Sequence, residues 1–263
     1  MDLSEEKLTV IMPTTLSNEQ HLNECIHSLE MQTLEKFELL VLVDGSALNH
    51  GDVARHFSNF SRPYRLLISK KRRGVSRSLN ILARTARTVY LARMDDDDIA
   101  LPARLEQQLS LIEGKNFDVV GSAVTLINAE GGTIDEKRLA LDFSKKVLLR
   151  DLVFGEVFFH PTVVYLRTWV LKHKYCRSWG NGQDRELWMR AFSASRYFNS
   201  EEVLLKYRVR ALHNDVFLRA TRNKMLLIDK FFYNSKLRFI LRLRVHFQRA
   251  KLIGYRFLQR LHG

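Results

Sequence analysis

The residues most able to do chemistry form a run of four acids, Asp95-Asp96-Asp97-Asp98. An apolar stretch, Val89-Tyr90-Leu91-Ala92 with Arg93-Met94, precedes the run, and Ile99-Ala100-Leu101-Pro102 follows it. Four neighbouring carboxylates repel one another, which raises their pKa values unless a cation or hydrogen-bond donors hold them ionised. Mg²⁺ or Mn²⁺ takes oxygen ligands and commonly binds one or two carboxylates together with substrate phosphates. The run therefore suits a metal–diphosphate site at the carboxyl end of a strand, where open α/β sheets bind ligands. The competing reading is a solvated turn in which Asp98 caps the next helix. A basic loop, Lys70-Lys71-Arg72-Arg73-Gly74, supplies the opposite charge, and a nucleotide diphosphate with its metal would suit the pair. Neither a Walker A pattern nor G-x-G-x-x-G is present.

The elements that must position these groups follow from apolar patterning. Leu8 to Met12 reads as a strand stopped by Pro13-Thr14-Thr15. Asn18 to Met31 carries Leu22, Ile26 and Leu29 at helical spacing, and Phe37 to Val43 reads as a second buried strand ending at Asp44-Gly45-Ser46. This is a βαβ unit with an expected right-handed crossover. A helix over 52–60, a strand over 64–68 and a helix over 76–86 lead to the strand before the acids, and Pro102 opens another helix. Asp118 to Ile127 is a further strand, Asn128 to Gly132 a turn, and Asp142 to Phe154 a helix. His160-Pro161-Thr162 is expected to be extended, because the residue before proline avoids the helical region. A glycine-punctuated loop, Trp179 to Asp184, runs into a helix from Arg185, with Asp184 at the expected N-cap.

Composition is that of an ordinary globular chain, 263 residues with 46% hydrophobic and 27% charged. No apolar run is long enough to span a bilayer and the first residues do not form a signal peptide, so a cytoplasmic location is expected. Two cysteines, Cys25 and Cys176, support neither a disulfide framework nor a zinc site. The net charge of +13 is unevenly placed: Val216 to Gly263 holds 12 Lys and Arg against one acid, Asp229, a net of +11, whereas the preceding residues net only +2. Two parts are expected, an α/β domain over 1–215 and a basic amphipathic helical tail over 216–263.

Several motifs, in order, resemble the inverting family 2 glycosyltransferases of GT-A fold, over about residues 8–210. Val10-Ile11-Met12-Pro13-Thr14 is similar to the opening strand, and Val43-Asp44-Gly45-Ser46 to the family's Asp-Asp-Gly-Ser. Gly74 through Asn80 resembles the Gly…Arg/Ser-x-Asn helix, and Arg93 through Gln108 the Asp-x-Asp-Asp segment and its continuation. His160-Pro161-Thr162, Gln183-Asp184-x-Glu186-Leu187-Trp188-x-Arg190 and Tyr207-Arg208 resemble the later motifs. Three departures stand out: Val43 replaces an Asp, Gln183 replaces a Glu, and the usual His after Tyr207-Arg208 is missing.

The resemblance implies a Rossmann-like mixed sheet flanked by helices and transfer of a sugar from a nucleoside-diphosphate sugar. UDP-hexose or UDP-N-acetylhexosamine is the expected donor, and a lipopolysaccharide, capsule or other lipid-linked glycan the expected acceptor. It makes Asp184 the general base, Asp97 the first metal ligand with Asp95 beside it, and Asp95 and Asp96 contacts to sugar or ribose. Thr14 and Asp44 fall at nucleobase-binding positions, and Asn80 on the substrate side. Arg73 reads equally as a phosphate contact or a solvated loop residue, and His160 as an acceptor-side group or a structural histidine. The cofactor is Mn²⁺ or Mg²⁺. The tail's interleaved Arg and bulky apolar residues suit an anionic membrane surface, and hence peripheral attachment at the inner face of the cell membrane. A packed helical cap is the other reading of the tail; no base-reading motif supports nucleic acid. With Val43 and Gln183 in place, a catalytically inactive GT-A-like nucleotide- or membrane-binding protein is the alternative to an enzyme.

Overall fold

The computed structural model describes residues 6–138, 142–143, 146–155, 157–179, 182–209 and 214–247, with backbone only at 136–138 and 214–219. In chain order the elements are β1 (Leu8–Thr14), α1 (Glu19–Glu30), β2 (Glu38–Asp44), α2 (His50–Arg55), β3 (Tyr64–Ser69), α3 (Val75–Thr85) and β4 (Tyr90–Arg93). Next come β5 (Ile99–Ala100), α4 (Arg104–Lys115), β6 (Val119–Ile127), β7 (Thr133–Arg138) and α5 (Asp151–Phe154). A 3₁₀ turn at His160–Thr162 leads into β8 (Val164–Leu166), α6 (Arg167–His173), α7 (Gln183–Ala191), β9 (Tyr197–Arg208), α8 (Asn214–Phe231) and α9 (235–247).

These strands form one mixed sheet in the order β3-β2-β1-β4-β8-β6-β9-β5, and off this path β7 pairs antiparallel with Val124–Ile127 of β6. The first four strands are parallel, so their carboxyl ends share one edge. That edge gathers Thr14, Asp44, Ser69 and the acid run. All seven residues of β2 are buried, which explains its unbroken apolar character: a parallel strand covered on both faces has no polar side to show. Beyond β4 the pairing turns antiparallel through β8. Ile11, Leu40, Leu79, Leu91 and Val119 share one core cluster with Trp169, Leu187 and Trp188; Val10, Met12, Leu22, Val41 and Val124 share another.

The strands and helices expected up to Ile127 are found within a few residues of their bounds. The helix over Asp142–Phe154 is not. Among the described residues of that span only Asp151–Phe154 is helical, and the Asp151 carboxylate accepts from the Leu148 N–H (2.9 Å) in the turn before it. His160-Pro161-Thr162 is a 3₁₀ turn rather than extended; the Thr162 N–H bonds to the Phe159 carbonyl (2.8 Å), and Pro161, lacking an N–H, leaves no donor unmet. The N-cap of α7 is Gly182, not Asp184. At φ +79° Gly182 adopts a left-handed conformation open to glycine, and its carbonyl accepts from the Glu186 N–H (3.1 Å).

The described part of the tail is helical and packs against the rest of the chain. Leu227 and Ile228 of α8, with Phe232, Leu241 and Val245, are buried in the cluster that includes Leu187 and Trp188. A charged contact reinforces this: Lys230 Nζ donates to Glu186 Oε1 (2.6 Å) on α7. No described helix is long and apolar enough to cross a membrane.

Candidate active site

Each acid of the run has its own neighbours. β4 lies beside β1, with Arg93 level with Ile11, so the chain leaves the sheet next to the end of β1. Thr14 Oγ1 donates a short hydrogen bond to Asp96 Oδ2 and accepts from the Leu16 N–H (2.9 Å). Arg93, buried in the strand, grips Asp95 through both guanidinium N–H₂ groups, one of them at 2.6 Å. A bidentate, charge-assisted pair of this kind fixes direction as well as charge. Asp98 is fully buried; its Oδ1 accepts from the Arg208 N–H (2.7 Å), while Oδ2 has no hydrogen-bond partner among the described residues.

Arg208 closes the far side. Its Nε donates to the Asp97 carbonyl (2.7 Å), one N–H₂ to the carbonyls of Asn128 (3.1 Å) and Ala129 (2.6 Å), and the other to Glu24. One side chain at the end of β9 thus joins the acid run, the turn after β6 and α1. Between them lies a cavity of about 200 Å³, lined by Ser17, Asn18, His21, Asp96, Asp97 and Arg208 among others.

Carboxylate oxygens of Asp95, Asp97 and Asp98 lie within 4.8 Å of one another. Burial pushes the Asp98 carboxyl well above its usual range, and the charges of Asp95 and Asp97 push it further. Asp95 is also raised, by burial first, although the Arg93 guanidinium pulls the other way. An oxygen-only donor set, a buried carboxylate oxygen without a partner and uncompensated negative charge together fit a hard divalent cation. Asp97, Asp95 and Asp98 would hold it, with Asp95 using the lone pairs that Arg93 leaves free.

Asp184 enters from the other half of the sheet. It stands in the first turn of α7, half-buried, with no hydrogen-bond partner among the described residues. Its charge nonetheless acts on Tyr175 and Tyr207. Tyr207, pushed up mainly by burial, also feels Asp98 and Asp95. The lone carboxylate and the acid run therefore share one electrostatic neighbourhood, although some ninety residues separate them along the chain. Glu186 anchors this helix. Burial would raise its carboxyl, but hydrogen bonds from Arg190 (2.8 Å) and Lys230 outweigh that and hold it below the ordinary range.

Other sequence-derived candidates take different places. Asp44 accepts from the backbone N–H groups of Arg73 and Gly74 (2.7 Å each), so its two oxygens order the basic loop. Arg73 is exposed and its Nε donates to Ser69 Oγ (2.8 Å). Asn80 is buried with both ends of its amide on the Tyr175 backbone, donating to the carbonyl (2.8 Å) and accepting from the N–H (2.9 Å). That leaves it as a clamp between α3 and the 174–179 loop. The ring of His160 is bonded to the Tyr175 hydroxyl (2.8 Å); burial, then the Arg93 charge, hold its pKa well below the usual value, so it is neutral. Tyr175 is the residue that sequence reasoning passed over: it ties Asn80 and His160 together under the site. Val43 is wholly buried among Met12, Leu22 and Val41, an apolar setting in which an ionised Asp would be costly.

Comparisons with known proteins identify the family of the chain. Residues 9–176 match the family model described as glycosyl transferase family 2. The chain is 29% identical over 199 residues to the O-antigen biosynthesis glycosyltransferase WbnJ of Escherichia coli, covering 73% of this chain and 75% of that protein. It is likewise 29% identical over 191 residues to the amylovoran biosynthesis glycosyltransferase AmsE of Erwinia amylovora, covering 72% and 71%. In fold it is similar to residues 1–349 of S. aureus TarS in complex with UDP-GlcNAc, with a TM-score of 0.65, 18% identity, and coverage of 92% of this chain and 73% of that one. The expected GT-A architecture is present, and the chain belongs to glycosyl transferase family 2.

Proposed function

We propose that this protein is an inverting, metal-dependent glycosyltransferase that moves a hexose or N-acetylhexosamine from a UDP-sugar to a lipid-linked glycan acceptor of lipopolysaccharide or capsule type, working at the inner face of the cell membrane. The observation that carries this reading is the meeting of two kinds of carboxylate at one place. A cluster fit to hold a divalent cation and a half-buried lone carboxylate, Asp184, both act electrostatically on Tyr207. Inverting transfer needs both. Asp184 accepts the proton of the acceptor hydroxyl as its oxygen attacks the anomeric carbon, and the sugar's bond to the diphosphate breaks on the opposite face. Asp97, with Asp95 and Asp98, would hold Mn²⁺ or Mg²⁺, which would offset the charge that builds on the departing diphosphate. Thr14 and Asp96, joined at the end of β1, offer hydroxyl and carboxylate to the ribose or base, and exposed Arg73 lies on the next loop.

Support for the donor and acceptor classes comes from relatives: WbnJ and AmsE are glycosyltransferases of O-antigen and amylovoran biosynthesis, and TarS is seen with UDP-GlcNAc. The membrane reading rests on the +11 carried by 216–263. Calorimetric titration of UDP into the protein, with Mn²⁺ and then with EDTA, tests the donor site alongside Asp97→Ala. Binding that needs metal and is lost in the variant is expected. Absence of UDP binding under both conditions would sink the donor assignment and favour a protein that has kept the fold without turnover.

A further inference from the structure

Helix α9 has two apolar faces, and the described protein covers only one. Leu241 and Val245, four residues apart, are 4% and 2% exposed against the core. At 100° per residue, Phe239, Ile240, Leu243 and Phe247 fall on the opposite side. They are 62%, 51%, 51% and 73% exposed, and Tyr233 in the preceding turn is 87% exposed. Large apolar side chains gathered in this way on a free surface mark an interaction site.

Charge identifies the occupant. Lys236, Arg238, Arg242 and Arg244 lie on the same helix; Arg242 is paired with Asp229 (2.9 Å) and Arg244 is stacked over the Phe154 ring (4.3 Å). Asp229 is the sole acid from Val216 onward, and residues 248–263 add four more cations. A second copy of the chain would bring two such basic faces into repulsion, whereas an apolar stripe bordered by cations complements an anionic bilayer surface. We infer that α9 is a monotopic membrane-docking element that inserts Phe239, Ile240, Leu243 and Phe247 among the acyl chains of anionic lipids. This rests on the peripheral-membrane reading above and narrows it to one helix face.

The mounting of α9 adds a consequence. Lys230, in the last turn of α8, bonds to Glu186, two residues from Asp184 on α7. Docking through α9 would therefore tether to the bilayer the same part of the chain that α8 ties to the helix carrying Asp184.

The test is co-sedimentation of the full chain with vesicles of phosphatidylglycerol and phosphatidylcholine, and with phosphatidylcholine alone. Wild type is expected to bind the anionic vesicles, and the combined Phe239→Ser, Leu243→Ser and Phe247→Ser variant to bind on the order of tenfold more weakly or not at all. Its melting temperature should match wild type; if it does not, Phe247→Ser alone, at the most exposed of the four, carries the comparison. Equal vesicle binding by wild type and a folded variant overturns this inference while leaving the membrane reading standing. Failure of wild type to bind either vesicle overturns both. A dimer seen by light scattering that the substitutions abolish, without vesicle binding, assigns the stripe to a second copy and overturns the lipid.

Discussion

The two carboxylate centres of this protein are built in opposite ways. The acid run is over-determined: Arg93 grips Asp95, Thr14 holds Asp96, and Arg208 ties the backbone of Asp97 and the carboxylate of Asp98 to α1 and the turn after β6. Asp184 has no hydrogen-bond partner among the described residues and stands behind a left-handed glycine. The difference suits the roles proposed for each. Groups that hold a cation gain from being fixed before it arrives, whereas a base must keep a lone pair free for the incoming proton.

Three substitutions probe that contrast. The largest effect is expected from Asp184→Asn, which keeps shape and removes basicity: sugar transfer should fall by about 10² to 10⁴-fold. UDP affinity should be unchanged, since the acid run is untouched. Equal losses of affinity and turnover would mean that the two centres are not separable. Next comes Arg208→Gln. Loss of a group that orients metal ligands typically costs about 10 to 100-fold in affinity. Metal-dependent UDP binding should drop by that much, and an unchanged affinity would show that the run holds its own shape.

Smallest is Glu186→Gln, on the mount of Asp184. An amide that accepts at one atom only weakens three charge-assisted hydrogen bonds, two from Arg190 and one from Lys230, and should cost about 1 kcal/mol of stability at neutral pH. The sign of its pH dependence is set by the lowered carboxyl: the contribution is present above the ordinary value of 4.5 and is lost as pH falls through the folded-state value. Melting curves of wild type and variant should therefore converge in acid. A gap that persists there would assign the effect to packing.

The half of the fold that carries the acid run is the half that sequence patterning could see. Its parallel strands are buried on both faces and read as unbroken apolar runs, such as Leu39 to Val43. β9 is different. It mixes buried positions with exposed Glu201 and Glu202, and its register against β6 shifts near Ser122 to Val124, so no single period runs through it. β5 and β8, two and three residues long, are too short to have a period at all.

The site divides in the same way. Adjacent acids announce themselves by mutual repulsion, but their counter-charges do not: Arg208 lies 110 residues from Asp98 and 184 from Glu24. The Tyr175 clamp on Asn80 spans 95 residues. Only a folded sheet brings such pairs together. Asp184 was visible as a lone acid at a helix start, yet the role of Gly182 was not, because capping depends on backbone angles that the side-chain pattern does not encode.

One small feature bears on how an anionic substrate is received. The start of a helix normally attracts phosphate, since its free N–H groups and dipole favour negative charge. Here the protein has already placed an anion of its own at the mouth of α3: Asp44, at the tip of β2, takes the N–H groups of Arg73 and Gly74. An internal carboxylate competes with any incoming phosphate for that positive end. A phosphate arriving at this edge would therefore need its counter-charge from somewhere other than these two N–H groups.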